Sequence, residues 1–277
     1  MNPRRLALVA FSIVALSTGL AASAWPAAPT KNALRGVNFI SNCRFSHRAP
    51  DDPIVFPGKP GLSHDHSFVG NSSTNAFSTL DSLKAAGTTC RRNGDTAAYW
   101  MPTVLKNGDP VPPLGATIYY RRATFAQLQP FPAGLKIIAG DSHATAPQLL
   151  KIVFWNCGVE TGLPPQSMVP TCPSGSMLRL HVRFPNCWDG KNLDSVDHKV
   201  HMAYSQAGRC PADHPVAVPA IEVIFRYPIQ GGADVVVASG GQLSGHADFF
   251  NAWDQATLTS LVNDCLNALR HCGARLS

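Results

Sequence analysis

Eight cysteines constrain this chain more than any other feature: Cys43, Cys90, Cys157, Cys172, Cys187, Cys210, Cys265 and Cys272. The number is even, and all of them follow an N-terminal export pattern. In an exported chain that predicts four disulfides acting as staples. Pairing neighbours in sequence gives Cys157–Cys172, Cys187–Cys210 and Cys265–Cys272, and leaves Cys43 with Cys90. No C-x-x-C occurs, so a zinc ribbon is not expected.

The export pattern consists of Arg4 and Arg5, an apolar run over residues 6–20, and Ala22-Ser23-Ala24 as an A-x-A cleavage site. Residues 1–24 therefore read as a secretory signal peptide, and residues 25–277 as a single secreted domain, extracellular or periplasmic. The apolar run is short for a membrane span, and no later stretch is long enough to be one. No membrane association is expected after cleavage. The formal charge is +6, and it falls by two when Arg4 and Arg5 leave. No run of Lys and Arg marks a nucleic-acid footprint. An anionic wall polymer is compatible with this balance.

Strand patterns dominate the rest. Residues 37–40, 117–122, 135–139, 149–155, 177–184, 220–227 and 234–238 are β-rich, and residues 177–184 alternate strictly. Gly- and Pro-rich turns separate these runs. The segment 49–61, APDDPIVFPGKPG, cannot be helical because proline removes donors and fixes φ. Two helices are expected, over 79–86 and 256–269, the second with Asp254 as N-cap. The expected fold is mainly β, a β-sandwich or jelly-roll-like core with peripheral helices, stapled by disulfides.

Chemistry concentrates in residues 187–204, CWDGKNLDSVDHKVHMAY, which hold Asp194, Asp197, His198 and His201 close together. Two other stretches look built to meet them. His64 and His66 alternate on one strand face, about 7 Å apart, a spacing that suits a divalent metal. His246 and Asp248 repeat that spacing with one carboxylate. Imidazole and carboxylate together suit either a metal site or general acid–base work. The chain has only two glutamates, Glu160 and Glu222, so a carboxylate mechanism would fall to aspartates. Candidate catalytic residues are His198, His201, Asp197, Asp248 and His246. Candidate metal ligands are His64 and His66. Trp188, Asp189, Tyr204 and Trp100 are candidates for substrate contact, the tryptophans as sugar platforms. No nucleophile elbow, H-E-x-x-H, phosphate loop or dinucleotide fingerprint is present.

His64-x-His66-x-Phe68-x-Gly70, Tyr99-Trp100-x-Pro102, Gly134-Leu135 with Ala139-Gly140-Asp141, the block 187–204, and His246-Ala-Asp-Phe with Asn251 and Trp253 together resemble one family. It is domain-of-unknown-function family nineteen ninety-six, found in secreted fungal and bacterial proteins. Where that family's block often has proline after its tyrosine, this chain has Ser205. The resemblance implies a secreted single domain and brings no established mechanism. Wall-binding or sugar-binding modules attached to some members point to polysaccharide as the partner. The expected function is a polysaccharide-active enzyme, a glycoside hydrolase or polysaccharide lyase with a His/Asp-rich cleft able to hold a divalent metal. The alternative is a non-catalytic metal-binding or cell-wall-associated protein using the same histidines. The sequence leaves the cofactor, the polymer, the disulfide connectivity and the oligomeric state open.

Overall fold

A computed structural model describes residues 29–274; the signal-peptide reading of residues 1–24 lies outside them. Sixteen strands form: β1 (Asn38–Ala49), β2 (His66–Gly70), β3 (Ala98–Pro102), β4 (Val104–Lys106), β5 (Asp109–Val111), β6 (Gly115–Arg121), β7 (Lys136–Gly140) and β8 (Val153–Asn156), followed by β9 (Leu178–Arg183), β10 (Cys187–Trp188), β11 (Met202–Ala203), β12 (Val216–Ala217), β13 (Ala220–Tyr227), β14 (Val235–Val237), β15 (His246–Phe250) and β16 (His271–Gly273). Their main path runs β7-β15-β3-β2-β1-β6-β13-β9-β8, and β16 pairs with the start of β1. Two three-stranded sheets, β11-β10-β12 and β14-β4-β5, sit beside it.

The twelve-residue β1 is the corner of the fold. Its first half, through Arg44, pairs with β6, whereas Phe45 to Ala49 pair with β2. The register shifts between Phe45 and His47. An extra residue at that point bends a strand, so one strand can leave one sheet and enter another. The result is a sandwich: a β7-β15-β3-β2 sheet faces a β6-β13-β9-β8 sheet across β1, with antiparallel pairing throughout both. The mainly β, disulfide-stapled fold with few helices is what forms.

Side chains alternate across each sheet because the strand period is two. Val69, Tyr99, Met101, Ile137, Ala139, Ala247 and Phe249 point inward, where they meet Ile118, Tyr120, Leu180, Val182, Val223 and Phe225 from the other sheet. The opposite face of the first sheet carries a second apolar cluster, in which Ile54, Phe68, Leu83, Ala98, Trp100 and Phe250 are buried. The Pro-rich loop and helix α1 (Leu80–Ala85) cover it. Asp51 pins this loop by accepting from Gly61 N and Ala76 N, and Asp52 by accepting from Ile54 N and Val55 N. Helix α1 starts at Thr79 in a capping box with Ser82 and buries Leu83.

The four disulfides are Cys43–Cys90, Cys157–Cys172, Cys187–Cys210 and Cys265–Cys272, the pairing expected from sequence distance. The last helix departs from expectation. Asp254 caps it, accepting from Thr257 N, but α2 covers only Gln255–Leu261. A π-helical turn then takes Val262–Asn267, keeping Val262, Cys265 and Leu266 buried. Leu269, the last residue of the expected helix, sits instead in the left-handed region and is exposed. The His/Asp-rich block 187–204 forms only two short strands, β10 at its start and the two residues of β11 near its end.

Candidate metal centre

The outer face of the first sheet carries the site. On β2, His66 and Phe68 point outward; on β15, His246, Asp248 and Phe250 do the same. Asp248 pairs across β15 with Trp100 on one side and Ile138 on the other. His64 stands two residues before β2, just after a bend at Ser63 and not on the strand, and its ring still lies 4.3 Å from that of His66. Asp52 comes from the Pro-rich loop above.

Three imidazoles converge. The His64–His246 ring centroids are 4.9 Å apart, and those of His66 and His246 are 5.7 Å apart. One donor atom each from His64, His66 and His246 lie mutually within 4.8 Å, and so do one each from Asp52, His66 and Asp248. His66 belongs to both groups. The far nitrogens of two rings are fixed by backbone carbonyls: His66 Nδ1 donates to Asp51 O at 3.0 Å, and His246 Nδ1 to Ser244 O at 2.9 Å. Each ring then presents an Nε2 lone pair to the cluster. This is how a metal-ligating histidine is held by its outer partners.

His246 Nε2 and His64 Nε2 lie 3.1 Å apart. Two nitrogens on one tetrahedral zinc, each about 2.0–2.1 Å from it, would be about 3.3 Å apart. His66 Nε2 and Asp248 Oδ2 are buried and have no hydrogen-bond partner in the protein. Orphaned buried polar atoms are rare and costly, so a pair of them in one cluster calls for a missing partner.

Burial dominates the electrostatics. It lowers His64 to about 4, His246 to about 3, and His66 well below the usual imidazole range. It also raises the Asp248 carboxyl well above the usual range, with Asp52 adding to the effect. Burial raises Asp52 as well, against the backbone amides of Val55 and Ile54. Neutral rings are able to ligate, and a cation bound beside the two carboxyls would favour their ionised form.

A cleft of about 360 Å³ opens above the cluster, lined by Asp52, His64, His246 and Asp248 on one side and His198 and Lys199 on the other. His198 adopts φ of 58°, and its Nδ1 is 2.8 Å from Asp194 Oδ1. Lys136 Nζ approaches the other Asp194 oxygen at 3.5 Å. His198 is thus an oriented imidazole facing the cleft.

The other expected site residues are placed differently. His201 is 1% exposed, with Nε2 2.7 Å from Lys136 O and Nδ1 2.9 Å from Ser195 Oγ. Both ring nitrogens are occupied in holding the loop, so no acid–base role remains open to it. Asp197 borders the cleft, but its Oδ1 accepts from Val200 N, Lys199 N and Ser195 Oγ. Those bonds, the Val200 amide first, hold it at about 2, a turn-forming carboxylate and not a proton donor. Trp100 is fully buried, packed against Phe68 at 5.6 Å, so it supports the floor of the site and offers no sugar platform. Trp188 Nε1 donates to Asn192 O, and Asp189 caps the same turn through Lys191 N and Asn192 N; neither lines the cleft. Tyr204 donates to Arg183 O and burial raises its hydroxyl; it lines an adjoining hollow that shares Ile138, Asp141 and Lys199 with the cleft, not the cleft itself. Sequence reading passed over Asp52, and it singled out Asp194 without pairing it to His198. An Asp51-Asp52-Pro53 step just before the histidine motif, and the four-residue spacing of Asp194 and His198, were the available signals.

Comparison of the chain with curated proteins and with solved structures finds no match. The family model described as a domain of unknown function, DUF1996, matches residues 52–253. That span begins at Asp52, ends at Trp253 and takes in every residue of the His/Asp cluster, so the chain is a member of the DUF1996 family.

Proposed function

We propose that this chain is a secreted, metal-dependent enzyme acting on polysaccharide, with His64, His66, His246 and Asp248 as ligands and Asp52 beside them. The observation that carries this reading is the pair of orphaned donors, His66 Nε2 and Asp248 Oδ2, next to two imidazole nitrogens 3.1 Å apart. Three histidines and a carboxylate suit zinc or another first-row divalent ion. A cation bound there would act as a Lewis acid on a substrate oxygen entering the cleft. The chain's own residues do the rest. The covering loop excludes water from the ligands. Asp194 holds the Nδ1 side of His198, so Nε2 is the atom that moves a proton on the cleft side. Lys199 borders the same space with its ammonium on Gly140 O.

A two-carboxylate glycosidase mechanism fits less well. Such enzymes need carboxyl groups about 5 Å or more apart across an accessible bond. Asp52 and Asp248 are 3% and 1% exposed and share the floor with His66, and Asp197 is committed to its turn. His198, oriented on the open side, favours turnover over passive metal binding. Export is supported by the four disulfides and by the absence, among the described residues, of a helix long and apolar enough to cross a membrane.

The test is metal analysis of the purified protein, followed by a glycan panel read for new reducing ends and for the ultraviolet absorbance of unsaturated products. The first readout alone indicates hydrolysis, and both together indicate elimination. His246→Ala should lose the metal. His198→Ala should keep it and lose about 10²–10⁴-fold in rate. Protein without stoichiometric metal would refute the centre. Bound metal with no glycan cut would leave only the non-catalytic alternative standing.

A further inference from the structure

The opposite face of the molecule carries a second feature, which the metal centre does not use. Along the outer side of the β1-β6-β13-β9 sheet, strand register brings five arginines onto one surface: Arg44, Arg121, Arg179, Arg183 and Arg226. All five are arginine and none is lysine. Glu222 is the single acid within β1, β6, β8, β9 and β13.

The arginines fall into two lines. Arg44, Arg226 and Arg179 share one row across the sheet, with Gly115 between the first two. Arg183 lies in the row of Glu222, four residues further along the strands, and Arg121 one step beyond. Four residues of strand separate the lines by about 13 Å. Thr117 and Ile224, half-buried, form the strip between them.

The second line is built in advance. Glu222 is 3% exposed and binds three groups: Arg121 Nη1, Arg183 Nε at 3.2 Å, and His181 Nδ1 at 2.9 Å. Arg121 also lies over the Tyr119 ring at 4.4 Å and Arg183 over Phe154 at 4.9 Å. Guanidinium groups fixed by a buried carboxylate and by aromatic faces keep their outward edges free at little entropic cost. Both remain about two-fifths exposed. In the first line, Arg179 is bridged to Glu160 at 2.7 Å, while Arg226 and Arg44 have no ion pair. Set against Glu222 and Glu160, the surface carries three positive charges in excess.

We propose that this sheet face is a docking platform for an anionic polysaccharide, whose carboxylate or sulfate groups the two arginine lines grip as planar forks. The sugar backbone of the ligand rests on the polysaccharide reading above; its charge rests on the arginine arrangement alone. The planar guanidinium fork of arginine, unlike the ammonium of lysine, engages such oxyanions bidentately. The platform lies on the far sheet from the cleft, so it retains the polymer without blocking the metal centre.

The test is affinity electrophoresis of the full chain, with chelator present so that metal chemistry plays no part. Gels carry polygalacturonate, dextran sulfate or neutral dextran. Both anionic polymers should retard the protein and neutral dextran should not. The relative strength of the two tells carboxylate from sulfate recognition. The double variant Arg44→Gln/Arg226→Gln, which touches no ion pair, should need about tenfold more polymer for half-retardation. A control, Lys59→Gln/Lys84→Gln, removes the same charge from the exposed covering layer on the cleft side and should behave as wild type. Retardation by neutral dextran, an unchanged double variant, or an equal loss in the lysine control would overturn the proposal. Binding that holds while no glycan is ever cut would refute the catalytic reading and leave the platform intact.

Discussion

His198 and His201 are three residues apart in one loop and differ completely in what they can do. His201 spends both nitrogens on Lys136 O and Ser195 Oγ. Removing its ring leaves those buried partners unsatisfied, so His201→Ala should cost about 1–3 kcal/mol in denaturant unfolding while metal content stays unchanged. Glu222 gives a second residue-level expectation. Burial pushes its carboxyl up, but the His181 hydrogen bond and the Arg121 and Arg183 charges outweigh burial and hold it at about 2. The folded value lies below the ordinary 4.5, so the unfolded chain takes up the proton first as pH falls. The stabilisation is complete above about pH 4.5 and is lost as pH falls from there through about 2. Glu222→Gln should flatten that part of the acid unfolding profile. At neutral pH it should cost about 1–3 kcal/mol, less than a fully buried pair because the arginines are partly solvated. Histidine identity was legible in the sequence. The partners that separate the proposed ligands and proton carrier from the brace were only partly legible, because apart from Asp194 and Ser195 they are backbone carbonyls, which no side-chain pattern reveals.

At the scale of elements, β15 is the strand on which the centre depends, because it delivers His246 and Asp248 against β3 and β7. Gly140 closes β7 opposite His246 with φ of +85°. A Cβ there would lie 2.8 Å from Gly245 O and 2.9 Å from His246 Cα, both backbone atoms that cannot swing away. Gly140→Ala should therefore part β7 from β15 and cost about 1–3 kcal/mol in stability. It should also weaken metal binding in titration although no ligand is changed. Alternation made the outward set on β2 and β15 readable in advance. The position of His64 was not, since a bend, not the strand, carries it to the cluster. The last helix shows the same limit: its apolar spacing is helical throughout, yet Leu269 turns out to solvent beyond the π-turn.

For the whole molecule, the four staples are unequal. Cys43–Cys90 closes 47 residues and joins the corner strand β1 to the segment before β3, whereas Cys265–Cys272 closes seven. Loop-closure entropy makes the first worth about 4 kcal/mol and the second about 2.5. Replacing Cys43 and Cys90 by alanine should lower the unfolding free energy more than replacing Cys265 and Cys272, as denaturant midpoints would show. The long bridge also holds the two sheets at their shared strand, so its loss should loosen the site as well as the core.

By itself the sequence determined the β class, the presence of disulfide staples, the alternating faces of the strands and the residue types able to hold a metal. These follow from local rules: strand period, proline geometry and short loop closure. Tertiary structure alone decided that β2, β15 and the Pro-rich loop share one outer face, and that Asp52 and Asp248 meet His66 there. It also decided that Trp100 faces protein and that five arginines scattered over four strands form one surface. Those outcomes depend on sheet order and on the bend in β1, and strand order is set by packing between residues far apart in the chain.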